Sequence, residues 1–189
     1  AGGHMARNGA DVTFVDPWPE HVNYIREKGI QLSGVTEQER FSVPVKAIHL
    51  TEVQQISKER PIDIAFICMK SYDTEWAATL IRPYLAEDGY VVSLQNCINE
   101  ERIARVVGWG KTMGCIASMI SVELTEPGHI VRNVELGGDE HTVFRAGEMH
   151  GRITARATEV AELMKGGDSS KVTSNLWGER WSKLCINTM

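Results

Sequence analysis

"AGGHMARNGADVTFVD", residues 1–16, opens with small residues and helix formers and runs into a β-like segment. Two adjacent glycines, Gly2 and Gly3, lead into the helix formers Met5 and Ala6. Gly9 supplies a stop, and a short β-like segment from Val12 to Val15 closes on an acid, Asp16. A helix can press closely on a strand only where no Cβ intervenes, and a carboxylate at a strand's end can accept hydrogen bonds from vicinal hydroxyls.

That order matches the back half of a G-x-G-x-x-G turn. There the first two glycines admit a pyrophosphate, the third allows close helix–strand packing, and an acid about 20 positions on receives ribose hydroxyls. With Gly2 as the third glycine, Asp16 falls at about the expected distance. Gly2, Gly3 and Asp16 are therefore candidate cofactor-binding residues, with a first strand and two glycines expected upstream. A Gly-rich frayed terminus before an ordinary helix is the alternative, and the strand closed by Asp16 weighs against it.

Outward from this stretch the chain alternates strands and helices, the pattern of a parallel sheet covered on both faces. "PWPEHVNYIREKG" (17–29) reads as a helix with Pro near its start and Gly29 at its end, leading into the strand "IQLSG". "FSVPVKAIHL" (41–50) alternates and holds a proline, which places it at a sheet edge or in a hairpin. "IDIAFICMK" (62–70) is a continuous apolar run, as in a central strand buried on both faces. Helix "YDTEWAATLIRPYL", strand "YVVSLQN", helix "NEERIARVVG" and strand "TMGCIASMISVEL" (112–124) follow.

Past Thr125 the texture changes. "GHIVRN" and "EHTVFRAGE" read as short strands extending the sheet antiparallel. "GRITARATEVAELMKGG" carries Ile153, Ala157, Val160, Ala161 and Met164 on one stripe. "SKVTS" is a last strand, and "NLWGERWSKLCINTM" spaces Trp177, Trp181, Leu184 and Cys185 as a helix would. The expected fold class is α/β: a Rossmann-like, doubly wound, mostly parallel sheet over residues 1–173, followed at 174–189 by the first helix of an all-α domain continuing beyond Met189.

Composition excludes several classes. With 42% hydrophobic residues in 189, the chain can bury a good core. A net charge of −5, with no Lys/Arg cluster, argues against a nucleic-acid surface, and no apolar run is long enough to span a bilayer. Cys68, Cys97, Cys115 and Cys185 are far apart, so they read as reduced, mostly buried thiols in a cytoplasmic protein, with no metal site.

In a doubly wound sheet, ligands bind beyond the carboxyl ends of the strands. Asp16, Lys70 and Asn96 each follow an apolar run there, so a carboxylate, an ammonium and an amide could meet in one crevice. Wet loops also end strands in polar residues, and the trio together favours a site. On the last helix, Lys183 and Asn187 share a face at i and i+4, although Glu179 and Lys183 could equally form an exposed salt bridge.

"CMKSYDTE", "SLQNCINEERIA" and "LWGERWSKLCIN", with the opening glycines, resemble the ketopantoate reductases (2-dehydropantoate 2-reductases) and the related NAD-dependent D-2-hydroxyacid dehydrogenases. The resemblance runs in order over nearly the whole chain. It implies an oxidoreductase moving hydride from NAD(P)H to a small 2-oxo acid, foremost ketopantoate. It implies that Lys183 donates the proton, that Asn187 binds substrate, and that Lys70 and Asn96 order the nicotinamide end and the substrate. Asp16 favours NAD(H) over NADP(H), because a carboxylate repels a 2′-phosphate. Another 2-oxo acid, or a nucleotide-sensing module without turnover, are the competing readings, and a homodimer is a candidate assembly. Cys97 stands where the family usually has Gly after the Asn, a turn position that can require a positive φ, so the loop is expected to differ in shape.

Overall fold

A computed structural model describes residues 1–188. The opening stretch forms a helix, α1 (Gly2–Arg7), and a strand, β1 (Thr13–Asp16), joined through Gly9 at φ +91°. The glycines serve packing: a Cβ on Gly2 would come within 2.6 Å of the Phe14 ring in β1, and one on Gly3 within 2.5 Å of Leu32. Helix α2 (Pro19–Lys28) ends at Gly29, φ +76°, and strand β2 (Ile30–Ser33) follows.

The main sheet has five strands, β5 (Ile62–Ile67), β6 (Leu85–Ser93), β7 (Thr112–Ala117), β10 (Phe144–Glu148) and β11 (Ser170–Thr173), in spatial order β11-β10-β7-β6-β5. All neighbours run parallel except β7 and β10. Alternate residues of one strand enter two cores. Tyr90 and Val92 of β6 join Val160, Ala161 and Met164 of helix α5 (Ala155–Lys165), while Val91 joins Ala77, Ala78 and Ile103 of helices α3 (Thr74–Ile81) and α4 (Glu100–Val107). Helices thus cover both faces, as a doubly wound sheet requires.

Several expectations are corrected. Of the two readings of "FSVPVKAIHL" the sheet edge holds and the hairpin does not: Pro44 separates β3 (Phe41–Val43), the edge strand antiparallel to β2, from β4 (Lys46–His49), which pairs parallel with β1 in a sheet of its own. "IDIAFICMK" is not central, because β5 ends the five-stranded sheet, and only Ala65 and Ile67 of it are buried. "TMGCIASMISVEL" breaks near Met119, φ +54°, into β7 and β8 (Val122–Glu126), and β8 turns away to pair with β9 (His129–Arg132). Strands β3, β2, β9 and β8 make a separate sheet, so of the two late segments only β10 extends the main sheet antiparallel.

Burial corrects three more. Only Cys115 of the four cysteines is buried. Ile153 precedes α5 and is 69% exposed, whereas Ala157, Val160, Ala161 and Met164 are buried as read. The final helix, α6 (Leu176–Thr188), turns Leu176 and Arg180 inward rather than the tryptophans, leaving Trp181 exposed. No described helix is long and apolar enough to cross a membrane.

Candidate active site

The chemistry gathers where β6 ends. Gln95 is buried and ties that end to the neighbouring crossover: its amide Nε2 donates to the Met69 carbonyl at 2.8 Å and to Thr74 Oγ1 at 3.0 Å. Asn96 is exposed, and Cys97 adopts φ +66°, so the left-handed turn is made with a side chain in place. Asn99 then folds back, donating from Nδ2 to the Asn96 carbonyl at 2.8 Å and to Ser71 Oγ at 3.1 Å. Its own N–H goes to Glu100 Oε2 at 3.1 Å, which starts α4.

Helix α6 arrives over this loop. Asn175 Oδ1 accepts the Gly178 N–H at 3.1 Å and so satisfies a donor of the first turn. Two turns later Lys183 Nζ donates to Asn96 Oδ1 at 2.7 Å and also to the Ala117 carbonyl at the end of β7. The salt bridge that spacing allowed between Glu179 and Lys183 does not form. Glu179 instead pairs with Arg145 at 2.8 Å and accepts from Thr173 Oγ1 at 2.6 Å. Partial burial, then the nearby positive charge of Arg180, lower the proton affinity of the Lys183 amine, with Cys97 opposing. An ammonium so placed is a readier proton donor than a solvated lysine.

Lys70 is exposed at the head of a short 3-10 turn, Ser71–Asp73, and its carbonyl accepts from the Asp73 N–H at 3.0 Å. It lies on the loop beside Asn96, linked through Ser71, but its ammonium has no hydrogen bond among the described residues. Asn187 is exposed one turn beyond Lys183, also without a hydrogen bond among the described residues. Asp16 ends β1 in the other parallel sheet, and its Oδ1 accepts the Trp18 N–H at 2.8 Å. Its second oxygen has no hydrogen bond among the described residues. A carboxylate held this way at a strand end has the acceptor capacity that a ribose diol needs. Gly2 lies against the Phe14 ring and Gly3 against Leu32.

Sequence reasoning missed Arg180 and Glu100. Their side chains are 2% and 0% exposed, and Arg180 Nε donates to Glu100 Oε1 at 2.8 Å. For Glu100 a signal existed in Gly114, inside β7: a Cβ there would stand 2.6 Å from Glu100 Oε1 and 2.7 Å from Leu176 Cδ2. Glycine in a strand interior marks such close approaches.

Residues 1–146 match the family described as Ketopantoate reductase PanE/ApbA. A 2-dehydropantoate 2-reductase of Pyrococcus horikoshii is 30% identical, the match covering 99% of this chain and 56% of that protein. The crystal structure of 2-dehydropantoate 2-reductase from Geobacter metallireducens superposes with a TM-score of 0.79 at 26% identity, covering 98% of this chain and 57% of that one. A ternary structure of D-mandelate dehydrogenase with NADH and anilino(oxo)acetate shares the fold at a TM-score of 0.79 and 22% identity, covering 98% of this chain and 56% of that one. The chain spans about half the length of the curated relatives it matches.

Proposed function

The chain belongs to the ketopantoate reductase family, and from that membership and the contact between Lys183 and Asn96 we propose that the complete protein reduces a small 2-oxo acid with a nicotinamide cofactor, 2-dehydropantoate being the leading substrate. In this reading residues 1–173 are the nucleotide-binding domain and residues 174–189 open a second, helical one. A reduced nicotinamide, when bound, supplies the hydride that adds to the carbonyl carbon.

The chain's own part is to manage the charge left on oxygen. As the C=O electron pair becomes an alkoxide, Lys183 Nζ donates a proton to it, leaving a hydroxyl and a neutral amine. Asn96 Oδ1, at 2.7 Å, and the Ala117 carbonyl each hold one N–H of the ammonium and thereby aim the third. Asn187, on the same face of α6, hydrogen-bonds the substrate, and Lys70 with Asn96 orders the nicotinamide end. Asp16 accepts from the adenosine ribose hydroxyls, which favours NAD(H) over NADP(H), while Gly2 and Gly3 let α1 sit close on β1 and β2.

The observation that carries this reading is the 2.7 Å contact between Lys183 and Asn96, groups 87 residues apart in sequence that converge beyond the ends of β6 and β7. Its test is nicotinamide oxidation by the complete protein over a panel of 2-oxo acids. Turnover is expected, fastest with 2-dehydropantoate. A faster rate with another 2-oxo acid would reassign the substrate. Measurable cofactor binding with no turnover on any acid would make the protein a nucleotide sensor and overturn the reading.

A further inference from the structure

The least expected group in this molecule is the guanidinium of Arg180, buried on a helix whose spacing gave no hint of it. Taking two charges out of water is costly, and replacing a buried ion pair with apolar groups is often neutral or stabilising. Stability alone therefore does not account for the pair, and its hydrogen bonds suggest what does. Nε donates to Glu100 Oε1 at 2.8 Å, Nη1 to the Gln95 carbonyl at 2.7 Å and Nη2 to the Ser93 carbonyl at 2.9 Å. One planar side chain thus fastens α6 to the last residue of β6, to the loop that follows it and to the first residue of α4.

These anchors stand next to both members of the candidate catalytic contact. Gln95 immediately precedes Asn96, and Lys183 lies three residues beyond Arg180 on the same face of α6. Glu100 completes the frame from the other side, because its Oε2 takes the N–H of Asn99, whose side chain holds the Asn96 carbonyl at 2.8 Å. Gly114 leaves the room in which Glu100 and Leu176 meet.

Resting on the proposed reductase reading, we infer that Arg180, with Glu100 as its counterion, is a positioning residue that sets the Lys183 ammonium against Asn96 and the ends of β6 and β7. Its charge has a second consequence. The groups that act on the Lys183 amine are Arg180 on its own helix and Cys97 from the β6 loop, and the neutral Asn96 amide and Ala117 carbonyl complete its contacts. A proton donor must be protonated to act, so activity declines as pH rises through its titration. Removing the Arg180 charge moves that alkaline limb to higher pH.

The test uses the complete protein with Arg180→Met combined with Glu100→Gln, which removes both charges and strands neither, and Arg180→Lys alone, which keeps the charge but not the planar fork. The double variant is expected to lose about 10- to 100-fold in kcat, as misplacement of a catalytic group does, with nicotinamide affinity unchanged. Its alkaline limb should move up, while Arg180→Lys should keep the limb near its original pH with an intermediate kcat. Competitive acetylation of Lys183 across pH, followed by mass spectrometry without substrate or cofactor, should show the same upward move in the double variant. Unchanged kcat, limb and acetylation profile in a folded double variant would overturn the inference. Loss of fold in it, with Arg180→Lys indistinguishable from the parent, would assign the pair to stability and overturn it as well. If Lys183→Ala itself turned over normally, the reductase reading would fail first, a result distinct from either of these.

Discussion

Asp16 makes a prediction about cofactor choice that the structure lets us size. Its Oδ1 accepts the Trp18 N–H at 2.8 Å, so the carboxylate is held at the end of β1. The basic groups that follow it are engaged elsewhere. His21 Nδ1 accepts the Gly128 N–H at 2.9 Å, Arg26 Nε donates to the Ala47 carbonyl at 2.7 Å and its guanidinium pairs with Glu52, and His49 Nε2 contacts the Pro17 carbonyl at 2.8 Å. A 2′-phosphate brought to this corner would meet the Asp16 carboxylate, with His21, Arg26 and His49 already engaged. For charges about 4–5 Å apart at a half-exposed site, the repulsion lies between the water and protein-surface limits, about 1–3 kcal/mol, which is roughly 5- to 150-fold in preference. The assay is kcat/KM of the complete protein with NADH and with NADPH at low ionic strength, where screening is least. NADH should be favoured by that factor, and Asp16→Asn should narrow the gap by improving NADPH. A parent protein that prefers NADPH, or an unchanged ratio in Asp16→Asn, would mean that Asp16 points away from the ribose and that the fingerprint is misplaced.

Cys97 at φ +66° carries a left-handed penalty of about 1 kcal/mol, largely offset in Cys97→Gly by the greater unfolded-state freedom of glycine. In urea denaturation Cys97→Gly should therefore be at least as stable as the parent and Cys97→Val clearly less stable; a Gly variant weaker by more than about 1 kcal/mol would contradict the strain. Glu148 and Asp168 both titrate below the usual carboxylate range. Burial alone would raise them, but Glu148 is outweighed by hydrogen bonds from Arg156 and Thr154, and Asp168 by those from the Gly137 and Ser169 amides and Arg132. A depressed folded-state value means that the unfolded chain binds more protons, so this stability is present above the ordinary range and lost as pH falls through the folded values. Urea midpoints should drop in acid, and Asp168→Asn should flatten the drop; an identical acid slope in that variant would count against the assignment.

Local chemistry was legible where it depended on neighbours in sequence. Gly9 and Gly29 stop helices, Pro19 starts one, and the segments around β6, α4 and α5 carry their periodicity openly. What failed depended on which strand lies beside which. The apolar run at β5 looks doubly buried, yet burial is decided by its neighbours, and among the described residues β6 alone pairs with it. Met119 hides a change of sheet inside an unbroken β-like run, because a single positive φ leaves no mark in a methionine. At the candidate site, Lys183 could be chosen over the Glu179 salt bridge only through the family's motif, since spacing allowed both. Arg180 was illegible because arginine on an amphipathic helix normally faces water, and its counterion lies 80 residues away.

Whether Lys183 supplies the proton in a carbonyl reduction is decided by single-turnover hydride transfer in the complete protein carrying Lys183→Ala, with cofactor affinity measured alongside. The transfer rate should fall by about 10²–10⁴ with nicotinamide affinity little changed, since the ammonium acts only as charge develops on oxygen. A near-normal rate in that variant would contradict this role and remove Lys183 from the chemistry.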